Sequence, residues 1–502
     1  MTHIITLDVG TTSVKTGLFD EALQPRAFVT QEYQLLTPGP DIVELDPETY
    51  WTAATRSIRE VIARAKVDGA SVAAIVCTTQ GETMTPVDAD GKPLHNALVW
   101  IDGRAVEEAA VIRKAVGDDA FFRTTGLAEI GPALPLAKAL WFKRKRPEIF
   151  AKTARFLLLE DFLIHRLTGR FVTHPSLSTS TGWYDINRDC LWRKALAELG
   201  LDAALFPEAI PCGFVAGTVR PPVASQLGVH SSTKVVAGAM DQVCSAIGAG
   251  NIRPGLVTET TGTALVIGAT LDKPDYGNPL RLTYYRHYDR RFLLLPYGTT
   301  AGIVFKWFKD EFCAPEVEQA RTQGVSAYDL LTGLAEQAPA GSNGLVAVPH
   351  FAGKFSPDAN PAARGVFFGV GLDTKKPHMV RAILESVGYM LRENVEAIEK
   401  VGVPVKRIVA LGGGSQSRLW NSIKADICGR DIATMRQTES TSLGAAILAA
   451  SGIGLYKSVE AACAAACVEK DVYHPDPSHR GAYEKGYRTY LDVYGRLKTL
   501  FG

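Results

Sequence analysis

Residues Leu7–Asp20 read Leu-Asp-Val-Gly-Thr-Thr-Ser-Val-Lys-Thr-Gly-Leu-Phe-Asp, LDVGTTSVKTGLFD. Apolar residues lead into the turn in HIITLDVG and alternate with polar ones after it in VKTGLF, the pattern of two strands flanking a short turn. Gly10 supplies the glycine that such a turn asks for. A plain turn does not ask for hydroxyls at Thr11, Thr12 and Ser13, a carboxylate just before them at Asp8 and an ammonium just after at Lys15. Backbone N–H groups and hydroxyls in a tight turn make an anion-binding concavity, and a nearby lysine and carboxylate suit phosphate and its metal. On these residues alone, a Ser/Thr-rich hairpin with a structural role is the other reading.

At 502 residues the chain is longer than one core supports, so two or more domains with a working cleft between them are expected. The formal net charge is +1, from 54 basic and 53 acidic residues. The one short basic run, KRKR at Lys143–Arg146, reads as the solvated end of a helix. Nothing in this balance calls for a nucleic-acid or membrane partner. No apolar stretch reaches the roughly 18 residues of a membrane span and the first residues lack a signal-peptide pattern, so a soluble, cytoplasmic protein is expected. Eight scattered cysteines are too sparse for a disulfide framework, and Cys463 and Cys467 read as buried small residues of an Ala-rich helix. The ten histidines form no pair at metal-ligand spacing, so the expected metal is magnesium carried in with phosphate.

Strand-like and helix-like segments alternate along the chain, which predicts an α/β protein. Asp46 and Pro47 open an amphipathic helix as N-cap and first helical residue. The strand VAAIVCTT then releases the polar stretch QGETM, and VWIDGR follows a turn at DADGKP. Gln80, Gly81, Glu82, Trp100 and Asp102 therefore become candidates for a small-molecule pocket, with loop or rim positions as the alternative for each. Further on, GLVTETTGTALVIGATLD (Gly255–Asp272) echoes the first hairpin, so that two hydroxyl-rich hairpins could clasp a polyphosphate. Just before it, VVAGAMDQVCSAIGAG releases Asp241 and Gln242 ahead of a small-residue helix. Asp241 is there either a helix N-cap or a general base. A third glycine cluster, at Gly412–Ser415, either lets a flat ring lie against bare backbone or serves close helix–strand packing.

Three glycine sites that each follow a strand, with an isolated aspartate after one of them, resemble the FGGY carbohydrate kinases. The second signature of that family is met in full by GVFFGVGLDTKKPHMVRAILE, Gly365–Glu385. The first is met in part by ALPLAKALWFKRK, Ala133–Lys145: Pro135, Lys138 and Trp141 fall in place, while Ala133, Ala139 and Lys145 depart from it beside the expected sugar pocket. The resemblance runs from about residue 3 to about residue 455, and the last stretch reads as generic helix. It implies two actin-like, ribonuclease-H-type domains, 1–248 and 249–502, with a catalytic cleft between them. It implies ATP and magnesium, the metal held by Asp8 directly or through water. Asp8, Gly10, Thr11, Thr12, Ser13 and Lys15 match the first phosphate motif, and Gly262 and Thr263 the second. Gly302 and Lys306 fall where relatives contact nucleotide phosphate and ribose, Gly413, Gly414 and Arg418 match the adenosine motif, and Asp241 falls on the catalytic base. A homodimer is an assembly compatible with it.

The implied reaction is phosphorylation of a small sugar or polyol. QGET, VWIDGR and the Asp241–Gln242 pair look like glycerol kinases, but Gly81 and Ala133 stand where those have an arginine and a tyrosine. WIDGR is closer to the WNDGR of xylulose kinases, whose Met-His pair is Gly81-Glu82 here. A larger pocket for a pentulose such as xylulose is the expectation, with a four- or five-carbon polyol or glycerol as runner-up. An actin-like or chaperone-like ATPase and a non-catalytic sugar-binding regulator are the readings from other classes.

Overall fold

The computed structural model describes residues 2–501. The opening stretch forms β1 (His3–Val9) and β2 (Ser13–Asp20), antiparallel with Asp8 opposite Lys15, and β3 (Pro25–Glu32) extends the meander. Helix α1 (Pro47–Ala65) starts as its sequence predicts: Asp46 caps it by accepting the Glu48 N–H, and Pro47 follows. β4 (Val72–Thr79) then pairs parallel to β1. Two helices, α2 (Pro135–Lys145) and α3 (Leu159–Thr168), precede β5 (Val215–Thr218) and β6 (Lys234–Val236), which complete a six-stranded sheet of order β5-β6-β4-β1-β2-β3. β1 is buried on both faces, as a central strand with a parallel neighbour should be, and Asp8 is its one residue not fully buried. Alternate residues feed different cores: Ile5, Leu7 and Val9 pack with Tyr50 and Ile58 of α1, whereas Ile4, Ala74 and Val76 face the other way.

Helix α4 (Asp241–Gly248) leads into a second sheet built on the same plan. β7 (Gly255–Thr261) and β8 (Leu265–Leu271) form an antiparallel hairpin. β9 (Tyr284–Arg286) and β10 (Phe292–Leu294) extend it on the β8 side. After α5 (Gly302–Phe312) and the long α6 (Lys376–Lys400), β11 (Val405–Leu411) pairs parallel to β7 as β4 does to β1. α7 (Arg418–Cys428) and β12 (Ile432–Met435) follow. α8 (Ser440–Gly452) returns to the first sheet, where it packs on β1 and β4 and against α4. That contact is backbone to backbone: a Cβ on Gly444 would lie 1.8 Å from the Cys244 carbonyl oxygen. α9 (Val459–Ala466) buries Cys463, whose thiol, like that of Cys467, donates to the Ile247 carbonyl.

Two expectations are corrected. The last stretch is not all helix, because β13 (Glu469–Tyr473) pairs antiparallel to β12 before α10 (Arg480–Leu497). The KRKR run does end a helix, but it is not merely solvated: Lys143 donates to the carbonyls of Leu199 and Gly200, and Arg144 and Lys145 pair with Glu108 and Glu107. The Gly365–Glu385 stretch is a structural lock, since buried Glu385 accepts from the Gly341 N–H, the Ser342 hydroxyl and Arg381. No helix among the described residues is long and apolar enough to cross a membrane.

Candidate active site

The first turn carries its polar groups at the end of β1. Gly10 donates its N–H to the Ser13 carbonyl (2.9 Å) and its own carbonyl accepts the Tyr33 hydroxyl (2.6 Å). Gly10 does not lie in the left-handed region, and a Cβ there would meet only Ser13 O at 3.5 Å. The turn itself therefore does not need that glycine, contrary to the expectation. Thr11 also differs. Its hydroxyl donates to Gln80 Oε1 (3.0 Å) and accepts from Trp100 Nε1 (2.9 Å), so it ties the hairpin to the predicted sugar pocket. Thr12 is exposed and Ser13 partly so. The Lys15 ammonium contacts Oε2 of Glu439, the residue before α8, at 2.6 Å, a partner the sequence did not suggest. Burial pushes the Asp8 carboxyl up to about 6; Lys15 pulls it down and Glu439 pushes it further up.

The second turn is arranged for docking. Gly302, at the start of α5, donates its N–H to the Gly262 carbonyl (2.9 Å), and a Cβ on Gly302 would fall 2.4 Å from that oxygen. Gly302 is thus required by close approach, whereas a Cβ on Gly262 would meet nothing within 4 Å. The N–H groups of Ala301 and Ile303 reach the Thr263 carbonyl. Below the turn lies a fully buried ion pair, Lys424–Glu259 (2.6 Å), which also engages the Thr261 hydroxyl. The third glycine cluster divides between its two readings. Gly414 packs on Thr261, where a Cβ would sit 2.7 Å from the threonine Cβ, while Gly413 is open. Arg418 is exposed in the first turn of α7, and Lys306 is exposed on α5 and paired with Asp310 (2.5 Å).

The sugar-pocket candidates converge on the same place from the carboxyl end of β4. Gln80 is buried, and its Nε2 has no partner among the described residues. A Cβ on Gly81 would meet Ser180 Oγ at 3.2 Å and Met240 Sδ at 3.5 Å, so Ser180 limits the room that glycine was expected to open. Burial raises the Glu82 carboxyl, opposed by hydrogen bonds from backbone and Ser180 and by the charge of Lys138. Lys138 itself is fully buried and donates to the carbonyls of Glu82 (3.1 Å) and Val99 (2.9 Å); burial lowers it to about 7. Trp100 is 41% exposed. Asp102 is the candidate that the structure removes from the pocket surface. It is wholly buried, with one oxygen accepting from Val43 N–H (2.7 Å) and both gripped by Arg104.

Asp241 is not an N-cap; Met240 holds that position and Asp241 is the first residue of α4. Its Oδ1 accepts the Gln242 N–H at 2.6 Å. Burial, then the charge of Asp8, then that of Glu82 push the carboxyl up to about 7, which is where a general base works best at neutral pH. Sequence reasoning missed Tyr285. This β9 residue lies in the field of Glu82 and Asp241, which adds to the burial that raises its phenol. Nothing in LTYYRHYDRR marks one tyrosine over the other, because only the strand's facing distinguishes them.

Two hairpins of one design, each with a parallel strand beside it, and a strand-end carboxylate near both the first turn and the pocket define a two-domain sugar kinase of the actin-like, ribonuclease-H type. Residues 3–248 match the N-terminal domain, and residues 258–453 the C-terminal domain, of the FGGY family of carbohydrate kinases. The chain belongs to that family. It is 30% identical to a gluconokinase of Bacillus subtilis over 99% of this chain and 96% of the relative. It is 28% identical to a xylulose kinase of the same organism over 100% and 98%. A ligand-bound xylulose kinase from Lactobacillus acidophilus superposes with a TM-score of 0.91 at 27% identity, covering 100% of this chain and 99% of that one.

Proposed function

We propose that the protein transfers the terminal phosphoryl group of ATP to a hydroxyl of a neutral ketose, a pentulose such as xylulose. The observation that carries the substrate class is the charge of the pocket. Asp241 lies there in the fields of both Asp8 and Glu82. Among the described residues, the cation that reaches Glu82 is Lys138, turned onto two backbone carbonyls, and none figures at Asp241. A neutral row of hydroxyls suits that lining, whereas a sugar acid would meet Glu82 and Asp241 with no side-chain cation free to offset them.

Residues 1–248 supply the sugar pocket, the first turn and the base; residues 249–502 supply the second turn and the adenosine site. Asp8, a partly buried carboxylate raised by burial and by the charge of Glu439, fits a hydrated magnesium ion, which takes one or two carboxylates together with phosphate oxygens. Bound with ATP, magnesium supplies neutralisation of phosphate charge. Asp241 accepts the proton of the attacking hydroxyl, Gln80, Glu82 and Gln242 orient the sugar, and the open space at Gly262 leaves room for phosphate. Packing of α4 against α8 joins the two halves, and closure of the cleft over the substrates would exclude water.

A coupled assay of ATP consumption across ketoses, polyols, glycerol and sugar acids tests this. Sugar-dependent turnover is expected, with kcat/KM for a five-carbon ketose at least about tenfold above glycerol. Turnover of ATP that no sugar stimulates would favour an actin-like ATPase instead.

A further inference from the structure

The strand-end segment that delivers Asp241 has no sheet partner of its own, so its polar groups must be held by side chains. The Ala239 carbonyl accepts the Thr78 hydroxyl (2.7 Å), the Met240 N–H donates to Ser176 Oγ (3.1 Å), and the Gly238 N–H donates to Glu160 Oε1 (2.9 Å). Glu160, in the first turn of α3, is wholly buried. Its other oxygen lies 3.0 Å from Nε2 of His174, equally buried, and neither atom has another partner. His174 Nδ1 accepts the Leu177 N–H (3.2 Å), which caps the helical turn Pro175–Ser178. Accepting there leaves the ring proton on Nε2, facing Glu160; this tautomer is assigned from the bonds around the ring. The same short turn carries Ser176. Glu160 and Ser176 thus hold the N–H groups of Gly238 and Met240, and both are fixed through His174.

A buried carboxylate is costly, and a space-filling role is better served by an apolar side chain. We propose that Glu160 and His174 are positioning residues for Asp241: the pair fixes the backbone of residues 238–240 and so aims the base at the substrate hydroxyl. This rests on Asp241 acting as the general base. Neither residue touches the pocket. Glutamine at 160 cannot serve both neighbours, because the Gly238 N–H and His174 Nε2–H are both donors and an amide offers one acceptor atom.

The test is a double-mutant cycle on the full chain with the sugar that the wild type uses best. E160Q is expected to lower kcat at least about tenfold while KM for ATP stays within about twofold. In a D241N background the same change is expected to alter the residual turnover by less than about twofold, because the base it aims is already gone. H174N, which keeps an acceptor for the Leu177 N–H, should repeat the pattern, and it carries the test if E160Q fails to fold. Equal losses in both backgrounds would mean general structural damage and would overturn the proposal, as would wild-type kcat in E160Q and H174N. A wild type without sugar-dependent turnover would remove the kinase reading first, and a D241N with full turnover the base, so each failure is separately visible.

Discussion

Replacing Asp241 by asparagine should make the enzyme slower and the fold firmer. The carboxyl titrates at about 7 against 3.8 for an ordinary aspartate, because of burial and the nearby charge of Asp8. Each pH unit corresponds to about 1.4 kcal/mol, so the ceiling on the destabilisation by the charged form is roughly 4 kcal/mol. The side chain is not fully sealed from water, and screening leaves on the order of 2 kcal/mol. An acid whose folded-state value is raised binds more protons folded than unfolded between about pH 4 and 7. The fold therefore gains stability as pH falls through that window and bears the whole cost of the charge above it. Asparagine keeps the acceptor for the Gln242 N–H and removes the charge. At pH 8, in metal- and nucleotide-free buffer, Asp241→Asn should raise Tm by roughly 4–8 °C for a domain of this size, and the gain should fade towards pH 4. Its kcat should fall at least about a hundredfold, the scale of a lost general base. A variant less stable than wild type at pH 8, or a Tm difference that does not change with pH, would refute the buried-charge reasoning. Near-normal turnover would refute the assignment of the base.

The pH profile of kcat/KM should rise through about pH 7 as Asp241 deprotonates and be lost below it, while Asp241→Asn should show no such limb; a wild-type profile flat from pH 5.5 to 8 would contradict this. Thr11→Val should raise KM for the sugar several-fold with KM for ATP within about twofold, because its hydroxyl serves Gln80 and Trp100; the reverse split would return Thr11 to the phosphate. Gly262→Val should weaken ATP binding, measured by calorimetry, with Tm nearly unchanged, since space is open there. Gly302→Val should instead lower Tm, because its Cβ would collide with the Gly262 carbonyl; equal effects on both readouts would deny that division.

The parts that were legible in the sequence are those set by local chemistry. Both hairpins announced themselves by apolar strands around hydroxyl-rich turns, and α1 by Asp46 and Pro47. Asp241 stood out because a lone carboxylate left an apolar strand. What escaped depends on contacts between distant segments. Asp102 looked like a pocket residue, yet the N–H of Val43, far from it in sequence, and Arg104 occupy its oxygens. The Thr11 hydroxyl was read towards phosphate, but its partners lie 69 and 89 residues away. The Gly81 space is shared by Ser180, β13 forms because β12 offers an edge, and Lys15 finds Glu439 over a separation of 424 residues. No periodicity or motif encodes such pairings.

The central claim is a neutral five-carbon ketose as acceptor, and the direct measurement is kcat/KM for xylulose and gluconate side by side at saturating ATP and magnesium, with the phosphorylated product identified by mass. The lining of Glu82 and Asp241, with no side-chain cation free at Asp241, predicts xylulose ahead by at least about tenfold. Gluconate as the better substrate would contradict the account, and would require a cation to enter the pocket when the two halves close.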